Sequence, residues 1–156
     1  MATYLDSKRA GARPRTTKTN PHTQLDQNAP PALQEKVFAR ARALAKVVVG
    51  PSLVSVPGAR AFHLPACTQP VPGGFMIERE FAHLHPADDG SLHMALPPAI
   101  VDRVIANGWA EHHPLAGKYG LPTNIVMVYG PRDDAELEVV AALVAASHAG
   151  ACRATG

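Results

Sequence analysis

A single α+β domain, with a mainly antiparallel sheet and helices packed on one face, is what three features of this 156-residue chain predict. The stretch Phe75–Leu96, FMIEREFAHLHPADDGSLHMAL, alternates apolar and polar residues on both sides of a turn-rich PADDG segment, the pattern of a β-hairpin. Apolar residues recur at helical spacing in three other places. The run NIVMVY (Asn124–Tyr129) is almost continuously apolar, as suits a strand buried on both faces. Reading the elements in sequence gives the order α-β-β-β-β-α-β-β-α, in which strands follow one another rather than alternating with helices.

The elements are justified in turn. Met1–Ala29 is polar, basic and without periodicity, which predicts a disordered basic tail. Pro30 and Pro31 suit the opening of a helix, after which Leu33, Val37, Ala41, Leu44 and Val48 share one stripe, so this helix is expected to end near Val49. Ser52–Leu64 holds two β-rich pieces, SLVSV and ARAFHL, around Pro57-Gly58, and reads as a hairpin. The loop PACTQPVPGG then leads to the histidine-bearing hairpin, its two glycines serving as a flexible connection or letting backbone approach a ligand. Pro97-Pro98 opens a second helix with Ile100, Val101, Val104 and Ile105 on one stripe and Asn107-Gly108 as its cap. Trp109–His113 alternates as a short strand does. Asp133 with Glu136 makes a capping-box-like start to a last helix with Leu137, Val140, Ala141 and Val144 inward. The expected organisation is thus a tail over 1–29, a domain over 30–150 and a frayed end over 151–156.

Composition narrows the function. Net charge is +2, but Met1–Ala29 holds five basic and two acidic residues, leaving ten basic and eleven acidic in the remainder. A near-neutral folded part argues against a nucleic-acid-binding surface. No apolar run approaches the roughly 20 residues that span a bilayer, and the N-terminus lacks the apolar centre of a signal peptide. Cys67 and Cys152 are too few and too far apart in sequence to read as a disulfide framework, so reduced thiols in a soluble cytoplasmic protein are expected. Oligomeric state is not legible.

The hairpin carries the chemistry. With Pro86–Gly90 as its loop, His85 faces Ser91 and His83 faces His93, and a period of two puts all three imidazoles on one side, with Ala82, Leu84, Leu92, Met94 and Leu96 on the other. Three nitrogens so placed could hold a divalent metal, with Glu111 or His113 adding a ligand. The competing readings are a hydrogen-bonded polar face and a metal-free acid/base or ligand site. Strict alternation puts Glu78 and Glu80 on the core side, which demands a bulge, a partner such as Arg132 or Arg103, or a carboxyl with a raised pKa. Glu111 is open to the same reading. Arg132, just before the last helix, could hold an anion or make a surface ion pair, and Trp109 could stack on a ligand or anchor the core. His22, His112 and His148 carry no signal. The HLHPADD run has the histidine spacing of a cupin metal motif, but Asp89 stands where that motif has glutamate and Ile77 where it has glycine. Dinucleotide, P-loop, serine-nucleophile and His-Glu-x-x-His motifs are missing.

The set EFAHLHPADDGSLHMALP, GWAEHHPL and VMVYGPRDDAELE resembles the luciferase-domain family of small bacterial and fungal domains over about the last two thirds of the chain. The resemblance implies a compact α+β domain with Glu80, His83, His85, Ser91, His93, Trp109, Glu111, His113 and Arg132 as its motif residues. The chain is too short for a flavin-dependent luciferase barrel of about 250 residues and lacks an adenylating motif, so light emission has no residue-level support. Two functions are carried forward. One is an enzyme-like, oxygenase-like pocket in which His83, His85 and His93 bind a divalent metal or shuttle protons while Glu80, Glu111 and His113 orient a small organic ligand and Ser91, Trp109 and Arg132 help to bind it. The other is a non-catalytic binding or protein-interaction module using the same polar face.

Overall fold

The computed structural model describes residues 3–153. A short 3-10 turn, Thr3–Asp6, precedes α1 (Pro31–Arg42), β1 (Val48–Pro51), β2 (Arg60–His63), β3 (Glu80–Leu84), β4 (Leu92–Ala95), α2 (Pro98–Ala106), β5 (Ala110–His112), β6 (Ile125–Val128) and α3 (Asp134–Ala151). The expected order of helices and strands is therefore observed. The six strands form one antiparallel sheet in the order β1-β2-β3-β4-β6-β5. Among the described residues no helix is long and apolar enough to cross a membrane.

One face of the sheet presents Phe62, Ala82, Leu84, Leu92, Met94, Val126 and Val128 to Leu33 and Val37 of α1, Val101 and Val104 of α2, and Leu137, Val140 and Val144 of α3. Each Val, Leu, Met or Phe side chain buried in this way contributes about 1.5–3 kcal/mol of transfer free energy, which makes this layer the main source of cohesion. β6 is buried along its whole length, as its apolar run requires. The Asp133 side chain caps α3 by accepting from Glu136 N–H at 2.8 Å, the predicted helix start.

Three boundaries differ from expectation. α1 stops at Arg42 because the β-branched run Val47–Val49 fits a pleated strand better than a helix, and Val48–Pro51 pairs with Arg60–His63. SLVSV is thereby the loop between β1 and β2 rather than a strand. Phe75–Arg79 forms a turn, with Glu78 at positive φ and exposed, so only Glu80–Leu84 of the expected long strand pairs.

The segment expected to be a tail lies against the sheet face opposite the helices. Arg9, Thr16, His22 and Gln24 are buried, and the Gln24 side chain accepts from Gly130 N–H at 3.1 Å. Its polar groups are satisfied by the domain, which a count of its apolar residues could not reveal. Met1 and Ala2 lie outside the described residues.

Cys67 and Cys152 form a disulfide, correcting the expectation of reduced thiols. The loop Gln69–Gly74 runs antiparallel to the end of α3, with Val71 N–H donating to Ala151 O at 3.0 Å and Arg153 N–H to Gln69 O at 2.9 Å. A Cβ on Gly74 would lie 2.7 Å from Ala151 Cα, so this glycine serves close backbone packing, not a ligand. Ala151, Cys152 and Arg153, in the end expected to fray, make these bonds and the disulfide; residues 154–156 lie outside the described residues.

Candidate functional site

The site rests on the face of the sheet that the helices leave free. β3 and β4 pair as His83 with His93 and Ala82 with Met94, and His85 N–H donates to Ser91 O at 2.9 Å, the register predicted from alternation. All three imidazoles point away from the helices, and all are buried. A shift in register opposite Phe62 and His63 leaves Phe81 as an extra residue, so Phe81 and Ala82 both turn to the core and Glu80 turns to the histidines. The bulge is the reason Glu80 departs from strict alternation, and its partners are neither Arg132 nor Arg103. Glu80 accepts from His83 Nδ1–H at 2.7 Å, Ser52 Oγ–H at 2.8 Å and Leu53 N–H at 2.8 Å.

His22, which carried no signal in the sequence, completes the cluster. Its ring stacks on His93 with centroids 5.1 Å apart, and its Nδ1 is 3.0 Å from His93 Nε2. On its far side, Nε2–H donates to Glu111 at 2.9 Å. Glu111 also accepts hydroxyl protons from Thr16 and Tyr129 and faces Lys18 at 3.3 Å.

These partners determine which ring nitrogens carry protons. Burial pushes Glu80, Asp89 and Glu111 up, but donors outweigh it: His83, Leu53 and Ser52 for Glu80, His85 and Ser91 for Asp89, and His22, Thr16 and Tyr129 for Glu111, which falls to about 2. All three are carboxylates at neutral pH, so neither Glu80 nor Glu111 has the raised pKa that was one alternative. A carboxylate can only accept, so His83 carries its proton on Nδ1 and His22 on Nε2. Ser91 gives its hydroxyl proton to Asp89, so His85 Nδ1, 2.9 Å from Ser91 Oγ and 3.2 Å from Asp89, is also the protonated nitrogen. His22 Nδ1 is then bare and receives the His93 proton from Nε2. What remains is three bare nitrogens facing one another, with His93 Nδ1 3.1 Å from His83 Nε2 and 3.0 Å from His85 Nε2.

Two groups of three histidines have ring nitrogens close enough for a shared ion, His83–His85–His93 and His22–His93–His113. The proton assignment separates them. The first offers three lone pairs. In the second, the His93 and His22 nitrogens already face each other across a hydrogen bond, and His113 Nδ1 accepts Leu115 N–H at 3.0 Å.

A pocket of about 290 Å³ opens over the cluster. His22, His83, His85, His93 and His113 form its polar end, and Val54, Val56, Met76, Leu115, Leu121 and Ile125 its apolar walls. The other predicted ligand contacts lie elsewhere. Trp109 is buried and donates Nε1–H to Ser7 O at 2.8 Å, as a core anchor does. Arg132 is held by Glu136, by Gln27 at 3.1 Å and by Ala10 O at 2.7 Å, which leaves its donors occupied away from the pocket. Ser91 acts on the site through His85.

Burial, together with neighbouring imidazoles, holds His113 down at about 4 and His93 well below the usual histidine value; burial also lowers His83 against the opposing pull of Glu80. Imidazoles of the unfolded chain take up protons as the pH falls through about 6.5, whereas these resist, so the unfolded state binds more protons. The metal-free protein is therefore expected to lose stability between pH 6.5 and about 4, read as a falling urea midpoint. An unchanged midpoint across that window would contradict the buried neutral cluster.

Residues 78–147 match the luciferase domain family model, a segment that holds β3 to most of α3 and four of the five pocket histidines. A six-stranded α+β sheet with a histidine-floored pocket is the class of domain that fold and site define. Over this segment the chain is similar to the luciferase-domain family. It is similar to proteins named luciferase from Armillaria ostoyae, 43% identical over 72 residues, and from Armillaria gallica and Neonothopanus nambi, each 42% identical over 72 residues. The matched part covers 45% of this chain and 27% of each relative, so the chain spans about a quarter of the length of these curated relatives. No solved structure matches.

Proposed function

We propose that the domain binds one divalent transition-metal ion through His83 Nε2, His85 Nε2 and His93 Nδ1, at the floor of a pocket that takes a small organic molecule, and that the pocket is oxygenase-like. The observation that carries this is the meeting of three unprotonated ring nitrogens at 3.0 and 3.1 Å, each ring held by a hydrogen bond from its other nitrogen. Without an ion their lone pairs repel. An ion about 2.1 Å from each would remove that repulsion without moving a proton. Three imidazoles suit zinc, copper or iron, and a redox-active member of that series would supply the electron transfer an oxidation needs.

The protein's own residues have separate roles in this reading. Glu80, Asp89 and Ser91 fix the tautomers of His83 and His85, and Glu111 does so for His93 through His22, an arrangement that raises ligand basicity. The apolar walls hold the body of the organic molecule and exclude water from its reacting end. The luciferase name of the relatives supports an oxidative role. Cytoplasmic placement loses one of its supports, the expected reduced thiols, and the disulfide favours an oxidising compartment.

Metal analysis of the purified protein after incubation with zinc, cobalt or ferrous ion tests the proposal. One equivalent per chain is expected, falling to none in His83→Ala and His93→Ala. No bound metal in the unaltered protein would leave a hydrogen-bonded imidazole cluster and favour the non-catalytic module.

A further inference from the structure

His113 differs from the other four pocket histidines. Its Nδ1 accepts Leu115 N–H at 3.0 Å, and a backbone amide has no lone pair to receive a proton in return, so Nδ1 is bare and the ring's proton is on Nε2. That Nε2–H has no hydrogen-bond partner among the described residues, and it is not enclosed. His113 lies on the pocket wall with its ring centroid 4.5 Å from that of His93. The pocket lining thus contains one unpartnered N–H donor as well as the three lone pairs of His83, His85 and His93.

We infer that His113 Nε2–H is a binding donor for an anionic oxygen or nitrogen atom lodged in the pocket next to the His83–His85–His93 centre, so that the pocket selects ligands that are anionic at one end and apolar along their body. The inference rests on the metal reading above, since the ion supplies the charge that draws the anion and His113 supplies the direction. Apolar Leu115, Leu121 and Ile125 line the same pocket, and a hydrogen bond to a charged acceptor is about twice as strong as one to a neutral acceptor. The carboxylates do not oppose it, because Glu80, Asp89 and Glu111 each engage an imidazole from behind. No proton needs to move.

Azide is a suitable probe, titrated into cobalt-loaded protein and followed by visible absorption. His113→Phe keeps a flat ring and removes the donor. His113→Asn can accept Leu115 N–H through Oδ1, as asparagine does in an Asx-turn, and still offers an N–H to the pocket. Azide is expected to bind about 10-fold or more weakly to His113→Phe and within about 3-fold of the unaltered protein in His113→Asn, with one cobalt bound in all three. Equal azide affinity in His113→Phe, with cobalt bound, overturns the role of His113 alone. Loss of cobalt in His113→Phe also overturns it, because His113 would then belong to the metal-binding set. Failure of the unaltered protein to bind cobalt overturns the metal reading and this inference with it.

Discussion

Zinc added to the metal-free protein raises its melting temperature by about 8–16 °C once the ion is near 1,000 times its dissociation constant, and His93→Ala abolishes the rise. Binding to the folded state alone at that excess contributes about 4 kcal/mol, and each kcal/mol moves the midpoint of a domain of this size by about 2–4 °C. His93 is the residue to remove because both of its nitrogens are engaged, Nδ1 facing His83 and His85 and Nε2 facing His22. Differential scanning calorimetry with and without zinc reads the shift. A variant that merely misfolds is distinguished by its near-ultraviolet circular dichroism. A rise of the same size in His93→Ala would place the ion elsewhere, and no rise in the parent would remove the metal from the site.

Cys67→Ser together with Cys152→Ser lowers stability by about 4.5 kcal/mol, the chain-entropy value for a closed loop approaching 100 residues. The bond spans 85 residues and joins the loop before β3 to the end of α3, so it encloses β3, β4, α2, β5, β6 and α3. Most of the sheet and its principal helix therefore gain from one restraint on the unfolded chain. The melting temperature is expected to fall by about 9–18 °C, and reduction of the unaltered protein should reproduce the fall. A drop of less than about 2 °C in the double variant would mean that the hydrogen bonds between Gln69–Val71 and Ala151–Arg153 hold that corner alone.

What could be read from the chain was whatever depends on period. Alternation in FAHLHP and SLHMAL placed Ala82, Leu84, Leu92 and Met94 in the core and His83, His85 and His93 opposite, in the correct register. The Asp133–Glu136 start of α3 was legible because capping is local chemistry. What depends on meetings across the chain was not. A bulge at Phe81 breaks the parity that assigned Glu80 to the core, and no residue type announces it. Cys67 and Cys152 adjoin only after the sheet and α3 are in place. His22 sits in a polar segment without periodicity, and its role comes entirely from Glu111 and His93, 89 and 71 residues away. Trp109 and Arg132 fell near the expected elements, but their donors are used by Ser7, Glu136, Gln27 and Ala10.

The placement of His22 also bears on where this protein should be cut. A fragment trimmed to 78–147, the stretch that matches the family model, would forfeit β1, β2 and α1, the stacking partner of His93 and the wall made by Asn20, Pro21 and Thr23. The stretch that matches the family model is thus smaller than the piece of polypeptide that builds the pocket, and part of the difference is supplied by amino-terminal residues outside the match.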